Sequence, residues 1–305
     1  MDGHQSRFVV KTRLVNLDVF CSREVTDLEF PNRSEALRVT QAEADRMIAA
    51  AAIMRNCRRD FTAANTDPVA EATAHSATIC AWQHYPEGEV YDPNSHAQFF
   101  FHAHPNDGRQ GPERGHFHTF MRAEGMPSGA APMLLPELAV ADLTAPPPQA
   151  APRKRGTRDE VSHLIAIAVN FRGEPIRLFT TNRWVTGETW YRAEDVIRML
   201  DCFAVEEPGP SAVLNRWIGA TVALYRPQIA ALLRARDETV MAWRRRRRSQ
   251  VLEDLRLEIT SSLNIDLDTQ LALIDRVRGS PGDSGLPRVP ALPPMAEGWE
   301  AGCLG

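Results

Sequence analysis

Residues 99–120 read FFFHAHPNDGRQGPERGHFHTF, a stretch that gathers four of the chain's nine histidines, His102, His104, His116 and His118, into two HxH units. Side chains alternate faces along a strand, so the histidines of each unit point the same way, with Phe100 and Phe120 continuing the pattern. Residues 97–104 and 115–122 are rich in aromatics and are predicted to pair as an antiparallel hairpin. If His104 sits opposite His116, then His102 faces His118 and Phe100 faces Phe120. All four imidazoles then form one cluster, with cross-strand Cβ atoms roughly 5 Å apart.

Neutral imidazoles packed together repel once protonated and gain little from one another without a cation. The arrangement therefore points to a divalent transition metal held by His102, His104, His116 and His118. Imidazole suits zinc, iron, copper and nickel, whereas structural zinc usually recruits cysteine, which this region lacks. A catalytic or redox ion, iron or zinc ahead of copper, is the expectation. Three histidine ligands would leave the fourth, or Glu113, to move a proton; Glu113 is otherwise a further ligand or a solvated loop carboxylate. Two other readings of the cluster stay open: a polar sheet face bonded to backbone and water, and metal-free histidine chemistry. His84, His96 and His163 read individually as ordinary polar or packed residues.

Outward from the hairpin, Thr40 and Glu43 have capping-box spacing, and Ala44, Met47, Ile48, Ala51 and Met54 form a helical stripe. Asp67-Pro68 predicts a second helix to about Cys80. SHLIAIAVNF and PIRLFTT flank a turn and predict a second hairpin. Helices are predicted over 192–204, over 211–225 capped by Ser211, and from about Pro227, with two more short helices in 251–278. Residues 1–35 are expected to form a flexible extension, the Pro/Ala-rich 125–160 a disordered insertion, and 279–305 a disordered tail. The intervening 36–278 form a single α+β domain, in which a small antiparallel sheet carrying the histidines packs with N- and C-terminal helices.

The chain has 305 residues, 35 basic and 39 acidic, for a formal charge of -4, which argues against a surface built wholly for nucleic acid or anionic membrane. Five scattered cysteines without a CxxC pair fit a reducing compartment, and no continuous apolar segment suggests a signal peptide or a membrane span. The expected setting is cytoplasmic.

Two further stretches carry chemistry. TTNRWVTGETW offers Asn182, Arg183, Thr186 and Glu188 beside Trp184 and Trp190, and loops of this kind often carry function. Arg183 is the choice for gripping a substrate anion through its planar fork, with Asn182 beside it; the plain reading is a turn anchored by its tryptophans. Arg244 to Arg248 would encircle a helix and so project into solvent or meet an acidic partner or nucleic acid. Solvation is the simpler reading.

Together, WQHYPEGEVYD, the histidine hairpin, HLIAIAVNFRGEP and LFTTNRWVTGETW resemble a bacterial family classed as a domain of unknown function, over about residues 40–278. Arg114 stands where the family pattern often has a histidine before the GHFH glycine. The resemblance implies a common α+β domain in which the histidine hairpin and the NRWVTGE loop belong together. The functional expectation is a metal-dependent enzyme, hydrolytic or oxidative, acting on a small molecule. The alternative is a noncatalytic metal-binding or nucleic-acid-associated module using Arg153 to Arg155 and Arg244 to Arg248.

Overall fold

The computed structural model describes residues 37–73, 78–104, 112–133, 160–247, 250–278 and 288–289. The expected N-terminal extension lies outside them, as do most of the Pro/Ala-rich insertion and of the C-terminal tail. Leu37–Arg38 (β1) pairs antiparallel with Arg288–Val289, in the stretch read as tail.

Helix α1 (Gln41–Ala64) starts where its sequence requires: the Thr40 side chain accepts from the Glu43 amide, and Glu43 accepts from the Thr40 amide in return. Ala44, Met47, Ala51 and Met54 are buried along one face. Helix α2 (Pro68–Ala72), capped by Asp67, is shorter than predicted. A six-stranded antiparallel sheet follows. It consists of β2 (Tyr85–Tyr91), β3 (Ala97–His102), β4 (Glu113–Arg122), β5 (Val161–Asn170), β6 (Pro175–Thr181) and β7 (Ile259–Asn264), paired in that order. Between β6 and β7 come α3 (Arg183–Thr186), α4 (Ala193–Leu200), α5 (Ala212–Leu224) and α6 (Arg226–Arg247). Helix α7 (Leu267–Arg278) follows β7, and β8 is Arg288–Val289. The fold is α+β, as the sequence reading expected.

Two strands escaped that reading, both at the edges of this sheet. β2 contains Pro86 and Gly88, tolerable where one side of the ladder is unpaired. β7 reads ITSSLN and is polar because its hydroxyls are used: Thr180 and Thr260 hydroxyls lie 2.8 Å apart, and the Ser261 hydroxyl donates to the Leu232 carbonyl at 2.8 Å. The two short helices predicted in 251–278 are a single 3-10 turn, Val251–Glu253, and α7, with β7 between them.

The two sheet faces differ sharply. One carries Phe99, Phe101, Phe117, Met121, Ile165, Ile167 and Leu178 into the main core, with Trp217 of α5 packed on Phe117 at 5.6 Å between centroids. The other carries the histidines. There Ala166 and Ala168 of β5 stand opposite His118 and His116, and their small side chains leave the volume that imidazole rings fill.

Candidate metal centre

The hairpin forms, but its register is displaced by two residues from the predicted one: His102 faces His116, Phe100 faces His118 and Gln98 faces Phe120. A shift of two preserves the face of every side chain, so the imidazoles still converge. His104 lies just beyond the end of β3 and reaches back, its ring centroid 5.0 Å from that of His116. The His102 and His116 Nε2 atoms are 2.7 Å apart.

Among the described residues, His102, His104 and His116 form a group able to hold a metal ion, with ligand nitrogens all within 4.8 Å of one another. His118 shares the face, 4.8 Å from His116 between centroids, but its Nδ1 is 3.0 Å from His163 Nε2. His163, read from sequence as ordinary, thus joins the cluster. A β-bulge explains why alternation missed it. Thr119 faces Ile165 and Phe120 faces His163, so Leu164 is the extra residue and turns to the core while His163 turns to the imidazoles.

A second bulge does the same for Glu113. Glu113 faces Asn170 and Gly115 faces Val169, leaving Arg114 as the extra residue. Arg114 turns away to pair with Asp67 at 3.1 Å. Glu113 is thereby brought to the imidazole face, where its Oε1 is 2.9 Å from His116 Nδ1 and its Oε2 accepts from Arg177 at 2.7 Å. Burial raises the Glu113 pKa, but the hydrogen bond and charge of His116 together with Arg177 outweigh it and bring the carboxyl down to about 2. An ionised, doubly engaged carboxylate fixes the orientation of an imidazole, as carboxylates do behind histidines that ligate metals. The carboxyl expected from sequence to move a proton is thus engaged on both oxygens.

Four of the imidazoles, His102, His104, His118 and His163, are held neutral. Burial and then His116 lower His104 to about 4 against the opposing pull of Glu113, and burial with the charge of Arg236 takes His163 to about 3. His102 and His118 are also depressed, burial being the largest cause for both. Neutral rings are the form that binds metal. The His104 Nδ1 is buried without a hydrogen-bond partner, an orphaned acceptor that an ion would satisfy.

A pH dependence follows for the metal-free protein. The unfolded chain protonates these histidines near 6.5, whereas folded His104 and His163 resist until about 4 and 3, so their stabilisation is present above 6.5 and is lost on acidification through that window. Each contributes a slope of about 1.4 kcal/mol per pH unit. Glu188 works oppositely: burial raises it to about 7, so the folded state holds its proton between there and the ordinary 4.5, and its contribution grows as pH falls. Four imidazoles outweigh two carboxyls, since burial also raises Glu258. Urea denaturation midpoints of chelator-treated protein are expected to fall steadily from about pH 7 to about pH 5; a flat or rising midpoint contradicts the account.

In the NRWVTGE segment, the two residues expected to contact substrate are engaged within the fold. Asn182 is fully buried and caps α3; its amide donates to the Val251 and Leu257 carbonyls at 2.7 and 3.0 Å. Arg183 pairs with Glu253. Both tie the loop to the 251–257 turn. Glu188 is the member that approaches the histidines, its Oε2 accepting from the His163 amide at 2.7 Å while Oε1 is unpartnered. The arginine run also departs from expectation: α6 keeps a buried side through Trp243 and Arg244, and Arg245 and Arg246 are exposed. Arg153 to Arg155 and Arg248 lie outside the described residues. No helix among those described is long and apolar enough to cross a membrane.

Fold and site define an α+β protein with a histidine centre on one face of an antiparallel sheet. The chain belongs to the family described as Domain of unknown function (DUF6969), which matches residues 48–265 and so spans both HxH units and the NRWVTGE segment. No curated protein and no solved structure matches it.

Proposed function

We propose that the chain is a metal-dependent enzyme whose ion is held by His102, His104 and His116, with zinc or iron ahead of copper. The observation that carries this is the convergence of three imidazoles, one with an orphaned buried nitrogen and one braced by a carboxylate. Three protein ligands are the usual complement of a catalytic ion, which keeps a position for water or substrate. His102 and His104 are half-buried whereas His116 is buried, so that position faces the His102 and His104 side. Bound there, the ion supplies Lewis acidity for hydrolysis or, for iron, oxidative chemistry. A small molecule is the proposed substrate. The setting we propose is bacterial and cytoplasmic, in keeping with free Cys57, Cys80 and Cys202.

Elemental analysis of full-length protein purified without added metal tests the proposal. About one transition-metal ion per chain, with a lower melting temperature after chelation, is expected; substoichiometric metal and unchanged stability contradict it. Glu113→Gln should weaken metal binding by about 10- to 100-fold, the usual range for an outer-shell partner, with the fold retained. Competition against a calibrated zinc chelator measures it, and wild-type affinity in the variant would remove Glu113 from the centre.

A further inference from the structure

The accessible side of the histidine triad is flanked by aromatic rings that metal binding does not require. The Trp82 amide donates to the Ala103 carbonyl at 2.9 Å, which lays the segment before β2 alongside residues 102–104. Tyr85 faces Phe101 on the core side, so alternation puts His84 on the imidazole face. There the His84 ring stacks on Phe100 at 3.7 Å with a 12° interplanar angle and stands 6.0 Å from His102. Two residues earlier, the Trp82 ring lies edge-on to His104 at 4.5 Å and to His102 at 6.1 Å.

Trp82 is exposed to 48%, so burial does not explain its position. Its φ is 69°, in the left-handed region where a bulky residue is an outlier. That is the third position of the turn closed by the Gln83 amide on the Cys80 carbonyl at 3.3 Å, and the turn fixes where the ring projects. His84 is held by Glu89, 2.8 Å from its Nδ1, and its ring is also solvent-accessible. A molecule approaching His102 and His104 from solvent meets these two rings.

We infer that the ligand of this centre carries a flat unsaturated ring next to its metal-binding oxygens, seated against Trp82 and His84. The inference rests on the triad holding a metal. An aliphatic group would gain from these rings only the area it buries, whereas an aromatic one adds the favourable edge-to-face or offset-stacked geometry.

The test uses full-length protein loaded with zinc and three hydroxamates that present the same oxygen pair: acetohydroxamate, cyclohexanecarbohydroxamate and benzohydroxamate. Calorimetry should show benzohydroxamate binding roughly tenfold more tightly than either of the others. Trp82→Ala should bring the phenyl and cyclohexyl compounds within about twofold of each other, Trp82→Phe should keep part of the preference, and zinc content should not change. Equal affinity for the phenyl and cyclohexyl compounds in wild type overturns the inference, as does a preference that survives Trp82→Ala or a loss of zinc in that variant. A wild-type chain that retains no zinc overturns instead the metal reading beneath it, and zinc content reports that separately.

Discussion

Replacing His116 with alanine should lower affinity for zinc by more than about a hundredfold, because loss of a ligand exceeds the 10- to 100-fold typical of outer-shell changes. His116 is the hub of the centre. It faces His102 across the ladder, approaches His104 ring to ring, and is the histidine that Glu113 braces. Its removal also leaves Glu113 with Arg177 alone. The informative companion is His118→Asn. If the ion is bound by three imidazoles, this variant should hold zinc within a few-fold of wild type, since His118 is engaged with His163. Comparable losses at His116 and His118 would restore a four-histidine ligand set; full retention in His116→Ala would dissolve the centre.

Gly115→Ala is expected to be among the most damaging single substitutions in the sheet. A Cβ at this position would stand 2.5 Å from the His102 carbonyl oxygen and 2.5 Å from Phe101 Cζ. Neither neighbour can yield cheaply: the first is ladder backbone, and Phe101 is fully buried in the core. The strands must part where His102 meets His116. Overpacking of this kind costs about 3 kcal/mol or more when backbone is displaced, and metal binding should be lost with the pairing. Gly129→Ala is the control, with φ at 81° but open space around a Cβ, and should cost only about 1 kcal/mol. Urea denaturation of both variants, with metal content measured in parallel, reads the difference. Wild-type stability and metal in Gly115→Ala would show that β3 and β4 do not pair in this register.

What the sequence made legible was the repeating part of the structure. Strict alternation at His102, His104, His116 and His118 was enough to put four rings on one face, and because a two-residue slip conserves faces, the wrong register still led to the right cluster. The Thr40 capping box and the Ser211 cap set helix starts correctly because those bonds are local. What could not be read was where alternation is interrupted. The bulges at Arg114 and Leu164 exchange the faces of Glu113 and His163; Gly115 is the one residue type that hints at the first, and none in β5 announces the second. Asn182 and Arg183 read as substrate contacts, and a polar loop beside a hairpin offers no sign of the distant 251–257 turn that engages them. Likewise Arg244 is buried through the continuation of a face begun at Val240 and Trp243, which five consecutive arginines conceal.

X-ray absorption at the edge of the metal retained by the full-length protein tests the central claim most directly. Three imidazole nitrogens bound to one zinc or iron ion predict nitrogen scatterers near 2.0–2.1 Å with the outer-shell pattern of histidine rings, diminished in His116→Ala. A spectrum of oxygen ligands alone, or one that the His116 substitution does not change, would contradict it.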